Sequence, residues 1–559
     1  MYLQNHPLRF TVVFLFLIFA LCFFSVHLVL IQFFRGAHLA SLAEKQHNHY
    51  IKLEPKRGTI YDRRMRPLAM NITVYSLYAN PKMMSPEAKK KAIQELPRIL
   101  KLDNNFLKTR LSRSKYFVWI ARKLSLEEAD RIKALKIRGL DFVKESKRYY
   151  PNQSLAAHVV GFAGLDNQGL EGLELLYDKF LKGEPGWSQI LRDARQRDLL
   201  IEKDFMAPKD GFDLVLTIDE TIQYIAEKAL EKAFDKHNAR SATIIVMDPR
   251  TGEILALANR PTYNLANFSS SQMEERTNRS IAYVYEPGSV FKIVTAAAAL
   301  EERTFIESDK IFCENGEYRV ANNILHDHHP HGMLSFSEVI EQSSNIGTTK
   351  IAQKLGPSKV YEYASRFGFG KLTDIDLKGE VGGVLKSPAQ WSKTSIGAVP
   401  IGQEVLVTPL QLTTAISVLA NNGVLMQPFV VKYVKDQKNE LIHSVEPRIV
   451  DRVVSEETAR RVTKILTQVV ERGTGKNAQI KGVLVAGKTG TAQKVVEGQY
   501  SHSKFYASFI GYAPADNPRL AAVVVFEEPH PSYFGGTVSA PVFREVIEDA
   551  LKYLKSLEG

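Results

Sequence analysis

The chain has 559 residues, 45% of them hydrophobic, 24% charged and 10% aromatic, which suits two to four domains with cores of their own and excludes a disordered or fibrous protein. Its net charge of +12 admits nucleic acid, an acidic membrane surface or an anionic polymer as a neighbour, but no aromatic-interleaved basic run or zinc-ligand spacing marks a nucleic-acid binder, and none is expected. Cys22 and Cys313 are too few for a disulfide scaffold; Cys22 falls in an apolar run and the two are expected not to pair.

Residues 10–34 are almost wholly apolar, interrupted by Thr11, Ser25, His27 and Gln32, and long enough to span a bilayer as one helix. We expect a retained single-pass anchor there, behind a cytoplasmic start at residues 1–9. A cleaved signal would have a shorter apolar core, and the small-residue stretch Ser41-Leu42-Ala43 lies far from the end of this one. Arg9 and Arg35 flank the run and give little orientation bias. No second spanning segment follows, so the rest of the chain is expected on one side, the extracytoplasmic one by the chemistry below.

Residues 35–211 mix short strand-like and helical patterns. Residues 53–63 read as extended and turn-marked, 86–120 as mostly helical and basic, and 170–181 as helical between glycines. No acid–base or metal constellation stands out, so a spacer or docking domain is expected. From residue 212 the pattern changes: a strand over 213–218, a helix capped by Asp219 through about 234, and a hairpin of 241–247 with 254–258 through Pro249-Arg250-Thr251-Gly252. This is an α+β or α/β pattern, expected to run to residue 559.

Chemistry enters at Tyr285-Glu286-Pro287-Gly288-Ser289-Val290-Phe291-Lys292. Pro287 and Gly288 punctuate the chain and the apolar run through residue 300 favours helix, so Ser289 falls at a helix start with Lys292 three residues on, on one face. Burial and the helix dipole would lower the pKa of such a lysine, which could then take the proton of the serine hydroxyl. The spacing alone is unspecific, expected about once or twice by chance in such a chain. It recurs at Ser112-Arg113-Ser114-Lys115 and Ser501-His502-Ser503-Lys504 without a comparable apolar helix behind it.

Downstream, a helix over 336–342 ends in Ser343-Ser344-Asn345-Ile346-Gly347, which read alone is a helix C-terminus or a helix–helix turn. Residues 483–495 read as a strand in which Lys488 and Gly490 share a face; a glycine there marks close approach by another backbone or a ligand. A peptide carboxylate could lie along that edge near Lys488 and the Thr491 hydroxyl, although a lysine-guarded edge strand explains the segment equally well. His326-Asp327-His328-His329-Pro330-His331 has a spacing that could ligate zinc or nickel. Pro330 and the loop-like setting favour a rim loop, and no metal or other cofactor is expected.

In order, Ser289-x-x-Lys292, Ser343-x-Asn345 and Lys488-Thr489-Gly490 reproduce the three motifs of the penicillin-recognising serine acyltransferases, and the chain resembles that family. Arg57-Gly58-Thr59-Ile60-Tyr61-Asp62-Arg63, Arg148-Tyr149-Tyr150-Pro151 and Gly169-Leu170-Glu171-Gly172 are similar to the pedestal signatures of its class B members. Glu286-Pro287-Gly288-Ser289, Ser343-Ser344-Asn345, Gly402-Gln403 and Gly535-Gly536-Thr537 resemble the division-specific FtsI type, a pattern that sporulation-specific relatives share.

The resemblance implies an α+β protein with an anchor at 10–34, a non-catalytic pedestal at 35–211 and, at 212–559, a penicillin-binding transpeptidase domain with an antiparallel sheet flanked by helices and a helical subdomain. It implies D,D-transpeptidase activity that cross-links peptidoglycan stem peptides in septal wall synthesis and is inhibited by β-lactams. Ser289 would be the nucleophile, Lys292 its base and Ser343 a proton relay. Asn345 would hold the donor amide, Lys488 would support the electrostatics, and Thr489, Gly490 and Thr491 would line the substrate edge. A SEDS-type glycan polymerase and other division proteins are the implied partners. A β-lactamase would need a water-activating glutamate that is not evident between Ser343 and Lys488, and a non-enzymatic sensor or scaffold would have no need of all five polar residues.

Overall fold

In the computed structural model, residues 7–35, 48–192 and 198–558 are described; the expectations for residues 1–6 and for Ser41-Leu42-Ala43 lie outside them. Two compact units form, one of residues up to Lys56 with Gly183–Asp210, the other of Arg57–Lys182 with Gly211–Gly559. The first holds an α-helix, Pro7–Leu30, that continues as a π-helical turn, Ile31–Arg35. Its 27 residues Leu8–Phe34 have a mean hydropathy of 2.8 and are long and apolar enough to cross a membrane. The same unit holds a three-stranded antiparallel sheet of Asn48–Leu53, Gly186–Arg192 and Asp198–Met206.

In the second unit, Ile60–Tyr61 pairs antiparallel with the long strand Pro67–Ala79 and parallel with Asp213–Leu216, which pairs antiparallel with Val431–Lys435. Val118–Leu124 and Leu140–Tyr149 extend this sheet from Pro67–Ala79. The boundary expected at 211 and 212 thus falls just before a strand that hydrogen-bonds to segments on both sides of it. Residues 86–120 are mostly helical, as expected. Helices Pro86–Leu100 and Asn104–Leu111 form, but the β-branched and aromatic residues that follow give a strand, Val118–Leu124. Residues 170–181 form two short helices, Gly172–Leu176 and Asp178–Leu181, broken at Tyr177.

The arginines of two pedestal signatures, Arg57 and Arg148, meet in one buried ion cluster with Glu174, just downstream of the third. Glu174, fully buried, accepts from Arg57 Nε at 2.6 Å and Arg148 Nε at 2.5 Å, while Arg57 also reaches Asp178 at 2.6 Å and Arg148 donates to the Gly58 carbonyl at 2.7 Å. Two guanidinium groups taken out of water need that carboxylate, since a buried charge without its partner is far costlier than the pair.

Residues 241–527 also build a five-stranded antiparallel sheet in the order Ile254–Arg260, Ser241–Met247, Leu520–Glu527, Gln499–Ala513, Ala486–Val496. Helices Glu220–Lys236 and Gly535–Glu558 pack on one face through Ile222, Ala226, Leu230, Phe543 and Val546. Asp219 caps the first of these as expected, accepting from the backbone N–H groups of Thr221 and Ile222. On the other face lie Pro409–Ala420 and the small-residue helix Lys292–Glu301, whose residues are buried from Lys292 to Leu300. Ala296 to Ala299 let neighbouring helices close around it, which a helix of larger side chains could not allow.

Glu174→Ala is expected to cost about 3–5 kcal/mol, the cost of stripping buried charges of their partner. A lowered thermal midpoint and early proteolysis within residues 57–182 would show it; an unchanged midpoint would mean that the cluster does not hold this part of the fold.

Candidate active site

Ser289 lies in a 3₁₀ turn, Gly288–Phe291, that runs directly into the helix starting at Lys292. Two glycines seat this turn. Gly288 has φ +59° and donates its N–H to the Gly402 carbonyl at 3.1 Å, while Gly402 has φ +84° and a Cβ there would stand 2.2 Å from the Gly288 oxygen. Glu286 fixes the approach: its Oε1 accepts from the Glu404 N–H at 2.8 Å and the Tyr500 hydroxyl at 3.1 Å, and burial pushes its carboxyl pKa up.

Lys292 is fully buried, and its Nζ donates to the Ser343 carbonyl at 2.5 Å, to Ser343 Oγ at 3.2 Å and to Asn345 Oδ1 at 2.7 Å. Lys488, also fully buried, donates from Nζ to the same Ser343 Oγ at 2.9 Å and to the Thr489 carbonyl at 3.1 Å. Burial lowers the Lys292 pKa to about 7 against a smaller raising effect of Asp327, and it lowers Lys488 well below its ordinary value, with the charge of Lys292 adding to the effect. The two ammonium groups disfavour each other's charge, so near neutral pH one can stand unprotonated beside a hydroxyl that can pass a proton.

Ser343 adopts the left-handed conformation, φ +58°, between helix Phe336–Glu341 and helix Asn345–Leu355, so the segment is the helix–helix turn that its sequence allowed. Asp327 holds this turn. Its carboxylate accepts from Ser344 Oγ at 2.6 Å and from the N–H groups of Asn345 at 2.5 Å and Ile346 at 3.1 Å, satisfying the start of the second helix. Asn345 Nδ2 donates to the His326 carbonyl at 2.9 Å. The histidine-rich loop therefore meets the site through its aspartate and a carbonyl. His326 Nδ1 lies 3.6 Å from Glu317, His328 packs edge-on to Phe534 at 5.2 Å, and no group of three or more potential metal ligands gathers among the described residues.

Thr489, Gly490 and Thr491 lie on the edge strand Ala486–Val496, paired on one side only, with Gln499–Ala513. A Cβ on Gly490 would stand 2.3 Å from Ser508 Oγ, 2.8 Å from Val290 Cγ1 and 3.1 Å from the Pro287 carbonyl, so the serine turn rests against the strand where a side chain is missing. Thr489 is buried and shares a hydrogen bond with the Thr474 hydroxyl at 2.7 Å, while Thr491 Oγ1 accepts from the Gly535 N–H at 3.2 Å. The other two Ser-x-x-Lys matches stand apart: residues 112–115 are exposed in the pedestal, and the Ser501 hydroxyl only closes a local turn with the N–H groups of Ser503 and Lys504.

Of the residues singled out in the sequence, Lys292, Ser343, Asn345 and Lys488 are joined by hydrogen bonds and Ser289 lies in the turn just before Lys292; Asp327, Thr474 and Glu286 were not anticipated in their roles. Asp327 stood in the sequence as a possible metal ligand, and its real signal was an acid lying upstream of a Ser-Asn helix start that lacked its own capping carboxylate. With lysine labelled at Cε, NMR should show one buried resonance, absent in Lys292→Arg, that titrates near pH 7. Because the Asp327 charge raises this pKa, Asp327→Asn should move the midpoint to lower pH; a midpoint near 10 in both proteins would remove Lys292 as a base at neutral pH.

Comparison with known proteins agrees with this geometry. Residues 242–548 match the penicillin binding protein transpeptidase domain and residues 52–216 the penicillin-binding protein dimerisation domain. Stage V sporulation protein D of Bacillus subtilis is 36% identical over 533 residues, covering 94% of this chain and 82% of the relative. The peptidoglycan D,D-transpeptidase FtsI of Escherichia coli is 34% identical over 511 residues, covering 90% and 84%. A crystal structure of penicillin binding protein 3 from Mycobacterium tuberculosis, complexed with aztreonam, superposes with a TM-score of 0.71 at 27% identity, covering 90% of this chain and 97% of the other. The chain belongs to the class B penicillin-binding proteins.

Proposed function

We propose that the protein is a serine D,D-transpeptidase that cross-links peptidoglycan stem peptides and is acylated by β-lactams at Ser289. One observation carries the assignment: two buried lysines share the hydroxyl of Ser343 beside the serine turn. In its neutral form Lys292 takes the Ser289 proton as Oγ attacks the D-Ala-D-Ala carbonyl of a donor peptide, and Ser343 passes a proton to the departing D-Ala amine. Lys488 stabilises the charge around that hydroxyl and Thr491 binds the terminal carboxylate. The Ser289 and Thr491 N–H groups serve as the oxyanion hole. Asn345 orients the donor amide, exchanging the His326 carbonyl for the substrate's. Thr489 and Gly490 keep the edge strand flat against the serine turn, and the acyl group then passes to the amine of a second stem peptide.

The helix Pro7–Leu30 serves as a single-pass anchor with the catalytic bulk on the extracytoplasmic side, where the wall is built, and a SEDS-type glycan polymerase is the fitting partner. We assign the enzyme to septal wall synthesis, as the FtsI relative suggests; depletion should then give filaments. Normal vegetative division after depletion would instead support the role that the sporulation relative's name describes.

The intact mass of the full-length chain after benzylpenicillin should show one adduct, stable for hours and absent in Ser289→Ala. Rapid loss with turnover would identify a lactamase, and no adduct in either protein a binding scaffold. Gly490→Ala should slow acylation by about 100-fold, the cost of a displacement on the order of 1 Å at the reacting groups. An unchanged rate would show that the serine turn does not depend on that contact.

A further inference from the structure

Residues 82–138 carry sixteen lysines and arginines against six aspartates and glutamates, so about a tenth of the chain holds ten of its twelve net positive charges. They form one lobe, with helices Pro86–Leu100, Asn104–Leu111 and Leu126–Ala134 around the strand Val118–Leu124 and a shared core of Leu96, Leu107, Leu111, Ile120 and Ile132. Most of the cations are exposed. Among the described residues, Lys90, Arg98, Lys101, Lys108, Arg113 and Lys115 make no ion pair. Like charges gathered without counter-charges repel one another and cost stability, which an ordinary solvated surface avoids by interspersing both signs.

A second feature adjoins the charge. Met83, Tyr116 and Phe117 are 54%, 40% and 45% exposed. Phe117 stacks on Tyr78 at 4.6 Å and meets Trp119 edge-on at 4.8 Å, and Lys82 Nζ stands 4.4 Å over the Tyr116 ring. The rings form a fixed apolar strip bordered by cations. A polyphosphate would use the cations and leave the strip idle, while insertion into lipid would call for rings free of one another rather than stacked. Carboxylates with apolar or aromatic side chains between them use both features.

We propose that this lobe is a docking surface for an acidic polypeptide segment that carries aromatic or apolar side chains among its carboxylates. The segment lays its rings on the Tyr78, Phe117 and Trp119 strip and its carboxylates against Lys108, Arg113 and Lys115. Docking there is independent of the acyl-transfer chemistry.

The test uses the full chain in nanodiscs of zwitterionic lipid and a fluorescent random copolymer of glutamate and tyrosine. The copolymer should bind at least about tenfold tighter than polyglutamate, weaken steeply with salt, and lose about 30-fold or more in a variant with Lys101→Glu, Lys108→Glu, Arg113→Glu and Lys115→Glu. Tyr116→Ala with Phe117→Ala should abolish the preference over polyglutamate. Penicillin labelling of Ser289 reports that each variant is folded. Four reversals elsewhere, at Lys236, Lys378, Lys438 and Lys555, should leave binding within about twofold; an equal loss there would overturn the proposal as an effect of net charge alone. Polyphosphate binding as tightly as the copolymer would overturn it in favour of a general polyanion site, and vesicles of phosphatidylglycerol displacing the copolymer would overturn it in favour of a membrane contact.

Discussion

Two lysine ammonium groups, both out of water and both directed at the Ser343 hydroxyl, set the terms for the rest of the site. Neither is in an ion pair among the described residues, so nothing in contact neutralises them. A buried charge without a counter-ion is costly, and two side by side are costlier; the arrangement persists by letting at least one lysine lose its proton. That need is also its use, because a lysine neutral near pH 7 can act as a base while its partner supplies a positive field. Lys292 opens the packed helix Lys292–Glu301 and Lys488 lies on the edge strand Ala486–Val496, and both side chains are fully buried.

A shared hydroxyl works only if it is held still. Ser343 pays for its place with a left-handed backbone, a conformation that costs a non-glycine residue about 1–2 kcal/mol, and the flanking residues over-determine it. Asp327 closes the N-terminus of the following helix, Lys292 takes the Ser343 carbonyl, and Ser344 donates to Asp327 while accepting from Gly347. Geometry and electrostatics are joined here, since the carboxylate that fixes the turn also biases the Lys292 proton equilibrium. The pedestal uses the reverse solution. Arg57 and Arg148 are charged at any working pH, so their burial needs Glu174 between them, and a fixed ion cluster results where the active site has a titrating pair.

What the sequence made legible follows from how local each cause was. The cap at Asp219, the hairpin 241–260 and the helix behind Ser289 are set by neighbours within a turn or two, and they stand where periodicity put them. Lys292, Ser343, Asn345 and Lys488, which the structure joins by hydrogen bonds, were singled out through three motifs, since no periodicity could have joined segments about fifty and two hundred residues apart. The expected helical stretch 86–120 runs at its very end into the strand Val118–Leu124, where β-branched and aromatic residues take over from lysine and leucine. Asp327 and Thr474 were out of reach for a different reason: Asp327 acts through hydrogen bonds from Ser344, Asn345 and Ile346, Thr474 through one with Thr489, and a single acid or hydroxyl in a loop has no pattern of its own.

The net charge shows the same averaging. As a property of the whole chain, +12 suggests a protein drawn to an anionic polymer, and a wall enzyme invites that explanation for its catalytic cleft. Resolved along the chain, almost all of the excess belongs to residues 82–138, and the other parts together are close to neutral. The lysines of the cleft are fully buried and burial lowers both of their pKa values, which weakens their share in any long-range field. Long-range electrostatic attraction is therefore separated from the buried lysine pair: the charge that acts over a Debye length resides on the 82–138 lobe, which holds none of the residues gathered around Ser343. An effector that binds the lobe can then be chosen by evolution without disturbing the proton balance of Lys292 and Lys488.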